Sequence, residues 1–464
     1  MLRLSSNAVQ YALEHLLRVA GLNEPIWRQG DRFRLPCGLV IQYSSDLPDN
    51  SENPRVVIIP CRHGALQSLL ENASIHLHHI SIQQERPLQE TSLAKNGYYS
   101  IPVFVWGKDY EDGTKPFAER YDNRTVVFYA DIIAATFFML SRWEETVLVV
   151  RDQHERFPAL ASFAYRQKFL DRPIIDEYAL ILQAWIKILL PNWIPKPPRF
   201  SLKLSHDIDY VRTVSLRQIG GDIVKRRDAT RAIATIHKWF QPDRDPAIQG
   251  CYELASLSEQ HGLQSAFYFM AADRSTFDSG YNPCSHLVQK LIHNLQQRGH
   301  EVGFHPGYQT FNNPDRFYKE KQRMDQALGA TSYGGRQHYL RFQAPDTWRL
   351  WSEAGLTYDS TAGYADHEGF RCGTCHPFRP YDITHDSTLN ILEIPLIVMD
   401  GTLKQYRHLT PEIAEERILM LARRCKAVNG VFSLLWHNTS LYNEWSPWAT
   451  MYRRVLAQLA HLID

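Results

Sequence analysis

The chain has no uninterrupted apolar run of about 18 residues, so the sequence predicts no transmembrane helix. It also has no excess of charge, because 51 Lys and Arg face 50 Asp and Glu and leave a net charge of +1. That balance gives no field to attract nucleic acid or an anionic membrane. The N-terminus predicts an amphipathic helix rather than a signal peptide, because Glu14 and His15 interrupt its apolar stretch.

Cysteine is scarce and irregularly placed. The seven cysteines are odd in number and scattered, which is typical of reduced thiols, and we expect a cytoplasmic protein. Residues 372–376, CGTCH, match the pattern of covalent haem attachment, but that chemistry belongs to exported proteins. No second C-x-x-C exists to complete a four-cysteine zinc site. We therefore expect neither group at this motif.

A proline-rich stretch divides the chain. Residues 191–198, PNWIPKPP, hold four prolines in eight residues, which stop the preceding helix and favour an extended linker. We expect an N-terminal α+β domain over 1–195 and a second domain over 196–464. The first contains no nucleophile elbow, P-loop or dinucleotide fingerprint. Its polar run Arg151–Arg156 is either a salt-bridged loop or a functional patch.

The second part alternates strand and helix signals, which favours a parallel β/α barrel or incomplete barrel. The chemistry of such barrels lies at the C-terminal ends of the strands. The strand-like runs lie near residues 200–207, 264–270, 301–305, 339–343, 356–359, 391–398 and 431–437. Helical patterns cover 285–298, 314–328, 411–428 and 447–462.

The stretch 201–210, SLKLSHDIDY, reads as a buried strand that ends in acid. Residues two apart in a strand point the same way, so Asp207 and Asp209 converge while His206 faces elsewhere. Two close carboxylates repel unless a cation lies near them, so the pair indicates a metal site or an acid/base pair. The alternative is an Asp-rich turn that caps the next helix.

Other predicted strands also end in charged or imidazole groups. These are His305, Arg341, Asp359 and His437. A single buried His is more often structural than a ligand. Because so many such groups collect at one end of one sheet, the pattern favours a shared active site.

These residues, in this order, resemble the NodB-homology polysaccharide deacetylases, carbohydrate esterase family four, over about residues 200–440. The quoted motifs are LSHDIDY, GHEVGFHPGYQT, LRFQAP, YDST and LWH. A subgroup found beside bacterial surface-polysaccharide genes looks closer still, because it carries a phrase that GFRCGT fits. The N-terminal part of the chain, with FFMLSRWEE and RDQHERFPA, resembles the accessory domain of this subgroup. The resemblance implies a distorted incomplete (β/α)7 barrel that removes acetyl groups from sugars. It also implies a divalent metal cofactor, for which zinc is the first expectation.

The resemblance also assigns roles. Asp207 would be the base and Asp209 and His305 metal ligands, with Gln309 where the family has a second ligand His. The third ligand could be Asp207, His206, Gln309 or His338. Arg341 would orient the base, and His437 would protonate the leaving group. Asp359, Tyr308 and Trp436 would bind substrate, with Tyr210 at the rim; each aromatic residue alone is as readily explained by packing.

The expected activity is removal of an acetyl group from a sugar of a bacterial surface polysaccharide or its precursor. Two alternatives stay open. Gln309 motivates a degenerate barrel that only binds carbohydrate. The acidic pair motivates a glycoside hydrolase, in which Asp359 would supply the second carboxylate about 5 to 9.5 Å away.

Overall fold

The structure, a computed structural model, describes residues 4–46, 53–71, 77–81, 92–95, 100–111, 114–213 and 240–463. Its first part contains strands β1 to β8: Trp27–Gln29, Arg32–Arg34, Val40–Tyr43, Arg55–Ile58, His78–Ser81, Ser100–Val103, Ala118–Arg120 and Thr125–Phe128. Helices α1 to α7 are Ser6–Val19, Ala65–Glu71, Ser92–Lys95, Ile132–Leu140, Trp143–Val147, Phe163–Arg166 and Ile174–Leu189.

Six of these strands form one sheet in the order β1-β2-β3-β4-β8-β7. Its centre is parallel, because β4 pairs in parallel with both β3 and β8. Every residue of β8 is buried, as expected for a central strand covered on both faces. Helix α4 is buried along its whole length and begins at Asp131, whose carboxylate accepts a hydrogen bond from the Ala134 N–H at 2.9 Å.

The second part begins at β9. Strands β9 to β18 are Ser201–Ile208, Ser265–Met270, Glu301–His305, Gly334–Gly335, Tyr358–Asp359, Tyr381–Asp382, Ser387–Thr388, Leu392–Glu393, Val398–Met399 and Val431–Leu435. Helices α8 to α13 are Pro246–Glu259, His286–Gln297, Pro314–Leu328, Asp346–Glu353, Pro411–Ala427 and Ser446–Ile463. Single turns lie at Ala159–Ala161, Pro242–Arg244, His338–Leu340 and Asn443–Trp445, with a π-turn at Thr402–Tyr406.

Eight of the strands in the described part of the chain form a wholly parallel sheet, in the order β16-β13-β12-β11-β10-β9-β18-β17. Strands β16 and β17 lie at opposite edges, yet only residues 394–397 separate them in sequence. The five steps from Glu393 to Val398 span at most about 18 Å, so the sheet must curl until its edges approach. The expected α/β class with a curled parallel sheet is therefore confirmed, although eight strands rather than seven build it.

The strand predicted at 339–343 is wrong. Its place in the sheet belongs to β12, and residues 338–340 form a single turn instead. A Cβ atom on Gly335 would lie 1.9 Å from the Phe304 carbonyl oxygen, and one on Gly334 would lie 1.9 Å from the Tyr358 ring. The position therefore requires two glycines, which are depleted in strands and give no strand signal.

One continuous hydrophobic core runs through both parts of the chain. Leu13 of α1, Phe138 of α4 and Ile175 of α7 belong to the same buried cluster as Trp351 and Phe370. Between the parts, residues 191–200 have no regular structure. The domain boundary at 195/196 stays a prediction. Within the described residues, no helix combines the length and apolarity needed to span a membrane.

Candidate active site

The C-terminal ends of the barrel strands meet at a cavity of about 420 Å³. Strand β9 delivers Asp207 and Asp209 to it, and β11 delivers His305. The turn after β12 adds His338, and β18 is followed by His437. The parallel sheet therefore brings together four site residues predicted from sequence and one of the open candidates.

Three of these side chains form a compact donor group. The Nε2 atom of His305 lies 3.2 Å from Asp209 Oδ1, and the Nε2 atom of His338 lies 3.6 Å from the same oxygen. One donor atom from each residue fits within 4.8 Å of the others. Asp209 Oδ1 and His305 Nε2 are buried without a hydrogen-bond partner. Buried polar atoms are rarely left unpaired, so this group fits an ion that would satisfy them.

The imidazoles are held in the tautomer that a metal requires. His305 Nδ1 donates to the Arg336 carbonyl oxygen at 2.7 Å, and His338 Nδ1 donates to Asp278 Oδ1 at 2.9 Å. In both rings Nε2 is therefore the nitrogen that faces Asp209, as in carboxylate–histidine–zinc arrangements. One carboxylate and two imidazoles suit zinc or a similar divalent ion and leave positions open for water and substrate.

The charges around the donor group favour a cation. Burial would raise the pKa of Asp209, but the imidazoles around it, His338 first, hold that pKa well below its ordinary value. Burial would lower the pKa of His305, but the carboxylates of Asp207 and Asp209 raise it. Both shifts express the same attraction for positive charge between the carboxylates.

The structure separates the four candidates for the third ligand. Gln309 is exposed and does not line the cavity. His206 is buried on the other face of β9, where its Nδ1 donates to the Trp436 carbonyl oxygen at 2.7 Å. Asp207 Oδ2 lies 3.9 Å from His305 Nε2. His338 alone of the four belongs to the compact group.

Asp207 is held by Arg336, not by Arg341 as the sequence analysis expected. The Arg336 guanidinium is fully buried and donates to Asp207 Oδ1 at 2.9 Å. It also donates to Ser205 Oγ at 2.9 Å and to the Ser360 carbonyl oxygen at 2.8 Å. The planar guanidinium therefore fixes the direction of the Asp207 carboxylate.

Arg341 lies behind the cavity wall instead. It donates to the carbonyl oxygens of Tyr308 at 2.5 Å and His154 at 2.9 Å, and it pairs with Glu155. The misplacement follows from the wrong strand at 339–343, since Arg336 directly follows the true strand β12.

His437 approaches the other carboxylate oxygen of Asp209, Oδ2. Its Nδ1 donates to Asp400 Oδ1 at 2.7 Å, and its Nε2 lies 3.7 Å from Asp209 Oδ2. Burial would lower the pKa of His437, but Asp400, followed by the other carboxylates, raises it to about 10. The ring is thus oriented by Asp400, with its Nε2 towards Asp209.

Three residues expected to bind substrate do not line the cavity. Trp436 is fully buried and stacks on Tyr452, with ring centroids 4.5 Å apart. Tyr308 is sandwiched between Phe277, at a centroid distance of 4.0 Å, and the Arg341 guanidinium. Asp359 is buried in β13 and bonded by the Thr361 hydroxyl. Burial raises the pKa of Asp359 to about 7.

The walls of the cavity are aromatic and partly come from the first part of the chain. The rings that line it are Tyr210, Phe277, Tyr339, Tyr406 and Trp445, together with His154. Arg156 lines it as well. Sequence reasoning missed Asp278 and Asp400, which orient the imidazoles. Asp400 follows the predicted strand 391–398, so its position carried a signal, whereas Asp278 lies in a loop without one.

A second group of donors, Asp176, Cys375 and His376, is buried between the two parts of the chain. Hydrogen bonds within the protein account for the positions of these side chains. Asp176 accepts from the Thr374 hydroxyl at 2.6 Å and from the Cys375 N–H at 2.8 Å. His376 Nε2 donates to the Val428 carbonyl oxygen at 2.9 Å. The CGTCH motif is thus a buried turn with two free cysteines.

Comparisons with known proteins were made for the whole chain. A family model described as a family of unknown function (DUF7033) matches residues 2–191. No curated protein matches. A crystal structure from Mycobacterium smegmatis, provisionally assigned as a polysaccharide deacetylase, is similar with a TM-score of 0.38 and 18% identity, over 58% of this chain and 86% of that one. A mutant of a CE4 family pseudoenzyme with restored enzymatic activity gives a TM-score of 0.28 and 12% identity, over 57% of this chain and 67% of that one. Because both TM-scores are below 0.5, we interpret the site from its own geometry.

Proposed function

We propose that the chain is a metal-dependent hydrolase that removes an acetyl group from a carbohydrate. The observation that carries this proposal is the compact group of Asp209, His305 and His338, with two buried donor atoms unpartnered. Its neighbours supply the other parts of a hydrolytic site, namely a carboxylate paired with arginine and an imidazole paired with a carboxylate. The aromatic walls suit the faces of a sugar ring.

A divalent ion held by the three donors would polarise the acetyl carbonyl and lower the pKa of the attacking water. Asp207 accepts the proton of that water, and Arg336 fixes the direction of its carboxylate. His437 delivers a proton to the departing amine or alcohol, with Asp400 fixing its orientation. Both proton-transfer groups line the same cavity.

The substrate class follows from the resemblance of the motifs. A sugar of a bacterial surface polysaccharide or its precursor, processed in the cytoplasm before export, stays a prediction. Two observations favour the hydrolase over the alternatives. His338 offers a third donor beside Asp209 and His305, and Asp359, the second carboxylate of a glycoside hydrolase, does not line the cavity.

The first experiment is the metal content of the purified protein, measured by mass spectrometry. We expect about one equivalent of a divalent ion in the wild type at this site and its loss in His338→Ala, because three donors hold it. Gln309→Ala is the matched control and should keep the metal, since its side chain is exposed. Absence of metal from the wild type, even after addition of zinc, would refute the proposal.

Activity is the second experiment. N-acetylated oligosaccharides and O-acetylated xylan serve as probes of the two bond types, with acetate release as the signal. We expect release from at least one probe and its loss in His305→Ala. A wild type that holds the metal and binds these sugars without releasing acetate would favour a carbohydrate-binding module.

A further inference from the structure

A loop of the first part of the chain reaches into the cavity of the second. Residues 151–157 follow α5, and two of their side chains, His154 and Arg156, line the cavity beside the metal donors. This loop lies inside residues 2–191, the range matched by the family of unknown function. Its side chains are therefore the direct connection between that range and the proposed chemistry.

Arg156 connects two aromatic walls of the cavity. Its guanidinium donates to the Tyr339 carbonyl oxygen at 3.0 Å and to the Tyr406 hydroxyl at 3.1 Å. Asp152 holds the same guanidinium in place through Oδ2, at 2.8 Å from Nε and 2.7 Å from Nη2. The Arg156 side chain is only 6% exposed, so it is anchored rather than swinging in solvent. An anchored planar group with several donors fixes the directions of its partners.

The turn that Arg156 contacts has an unfavourable backbone. Tyr339 has a φ angle of 60° and Leu340 one of 54°, so two consecutive non-glycine residues lie in the left-handed region. Such residues persist only where surrounding contacts hold them, and they cluster at functional sites. His338, the third donor of the metal group, immediately precedes them.

Contacts in the reverse direction reinforce the same turn. Arg341, which follows Leu340, donates to the His154 carbonyl oxygen at 2.9 Å and pairs with Glu155. The His154 ring packs on that of Tyr339, with centroids 4.9 Å apart. Residues 154–156 and 339–341 thus hold each other through an arginine from each side.

We propose that Arg156 is a positioning residue for the metal site, and that the first part of the chain thereby forms one functional unit with the barrel. Arg156 keeps the turn at Tyr339 and Leu340 in its strained conformation, which aims the His338 imidazole at Asp209 and sets the Tyr339 wall. The inference rests on the proposed function, because it takes His338 as a ligand.

A merely structural role would make Arg156 equivalent to other arginines of its loop. Arg151 provides that comparison within the same seven residues. Its guanidinium donates to the carbonyl oxygens of Leu148 at 2.8 Å and Glu145 at 2.7 Å, and it packs over the Phe157 ring. Arg151 does not line the cavity. Replacing it removes loop contacts of the same kind but none to the turn.

The test compares the zinc affinities of Arg156→Gln and Arg151→Gln by competition with a chelator. Loss of a group that orients a ligand commonly costs about 10-fold or more in metal affinity, so we expect about that loss for Arg156→Gln. Arg151→Gln should bind zinc as the wild type does, while thermal unfolding shows that both variants are folded. Equal zinc affinity in the two variants would overturn the inference.

A second variant tests the cause. Glycine adopts a positive φ without strain, so Tyr339→Gly should need Arg156 less. We expect Arg156→Gln to lower zinc affinity at most about 3-fold in the Tyr339→Gly background, since the two positions are coupled. An undiminished loss in that background would overturn the role in holding the turn. A wild type that takes up no zinc would overturn the proposed function itself, whereas normal uptake by Arg156→Gln overturns only this inference.

Discussion

Replacement of Arg336 by methionine should be among the most destabilising single changes in the barrel. The guanidinium is fully buried and pairs with Asp207, whose side chain is 4% exposed. Removing one partner of a buried ion pair leaves an uncompensated charge and costs about 3 to 5 kcal/mol. Arg336→Met also leaves the hydroxyls of Ser205 and Ser360 without their donor, which adds to the same loss.

The assay is the free energy of unfolding by urea for the single variant and for the double variant Asp207→Asn with Arg336→Met. Removing both charges should recover most of the loss and leave the double variant within about 2 kcal/mol of the wild type. Arg454→Met is the matched control, because Arg454 is 50% exposed and pairs with Glu415 at 2.6 Å. Such exposed pairs contribute little to stability, because solvent screens them.

Two results would contradict this reasoning. If Arg336→Met lost no more stability than the Arg454 control, the pair with Asp207 would not stabilise the barrel. If the double variant were as unstable as the single one, the loss would come from packing rather than from the stranded carboxylate. Either result would also weaken the role of Arg336 in holding Asp207 as the base.

Three further predictions concern other parts of the chain. Burial lowers the pKa of His15 to about 4, so the stability that the neutral ring contributes is present above about pH 6.5 and is lost as the pH falls. Between pH 7 and 4.5, the free energy of unfolding of His15→Gln should therefore fall by roughly 2 to 3 kcal/mol less than that of the wild type. Parallel curves of unfolding free energy against pH for the two proteins would contradict this. Gly335→Ala should lower the free energy of unfolding by about 3 kcal/mol through overpacking. Gly401→Ala, whose Cβ meets nothing closer than 3.4 Å, should change it by about 0.5 kcal/mol or less. Equal losses of stability in the two variants would refute the steric argument. His437→Gln should lower kcat about 100-fold or more while zinc remains bound, and an unchanged kcat would exclude it as the acid.

The strands with ordinary strand composition were predictable from the sequence. SLKLSHDI forms β9 and carries Asp207, with Asp209 directly after it, because apolar and β-branched residues mark buried strands and period two sets their faces. His305 and His437 were found for the same reason, since each ends or follows a strand with a clear apolar pattern. Their roles in chemistry stay predictions.

What the sequence did not reveal depends on contacts between distant residues. Two glycines form β12 because Phe304 and Tyr358 leave no room for side chains, and no local pattern encodes that crowding. Because the strand was predicted at 339–343, Arg341 was expected to orient Asp207, whereas Arg336 does so. The pairing of His338 with Asp278 depends on a contact across 60 residues, so the sequence left His338 as one of four candidate ligands and gave no signal for Asp278.

The short link at residues 394–397 also determines how the barrel is sealed. No ladder of backbone bonds joins β16 to β17, and serine hydroxyls bind the link to the strands on either side. Ser360 donates to the Ile394 carbonyl oxygen at 2.8 Å, while Ser433 donates to that of Pro395 and accepts from the Ile397 N–H at 3.0 Å. Free strand edges invite pairing with other chains, and this seam leaves little edge for such pairing. A few side-chain hydrogen bonds at residues 394–397 take the place of a cooperative ladder between β16 and β17. We therefore expect the barrel to open first at this link, and amide exchange there should precede exchange in β9 and β10.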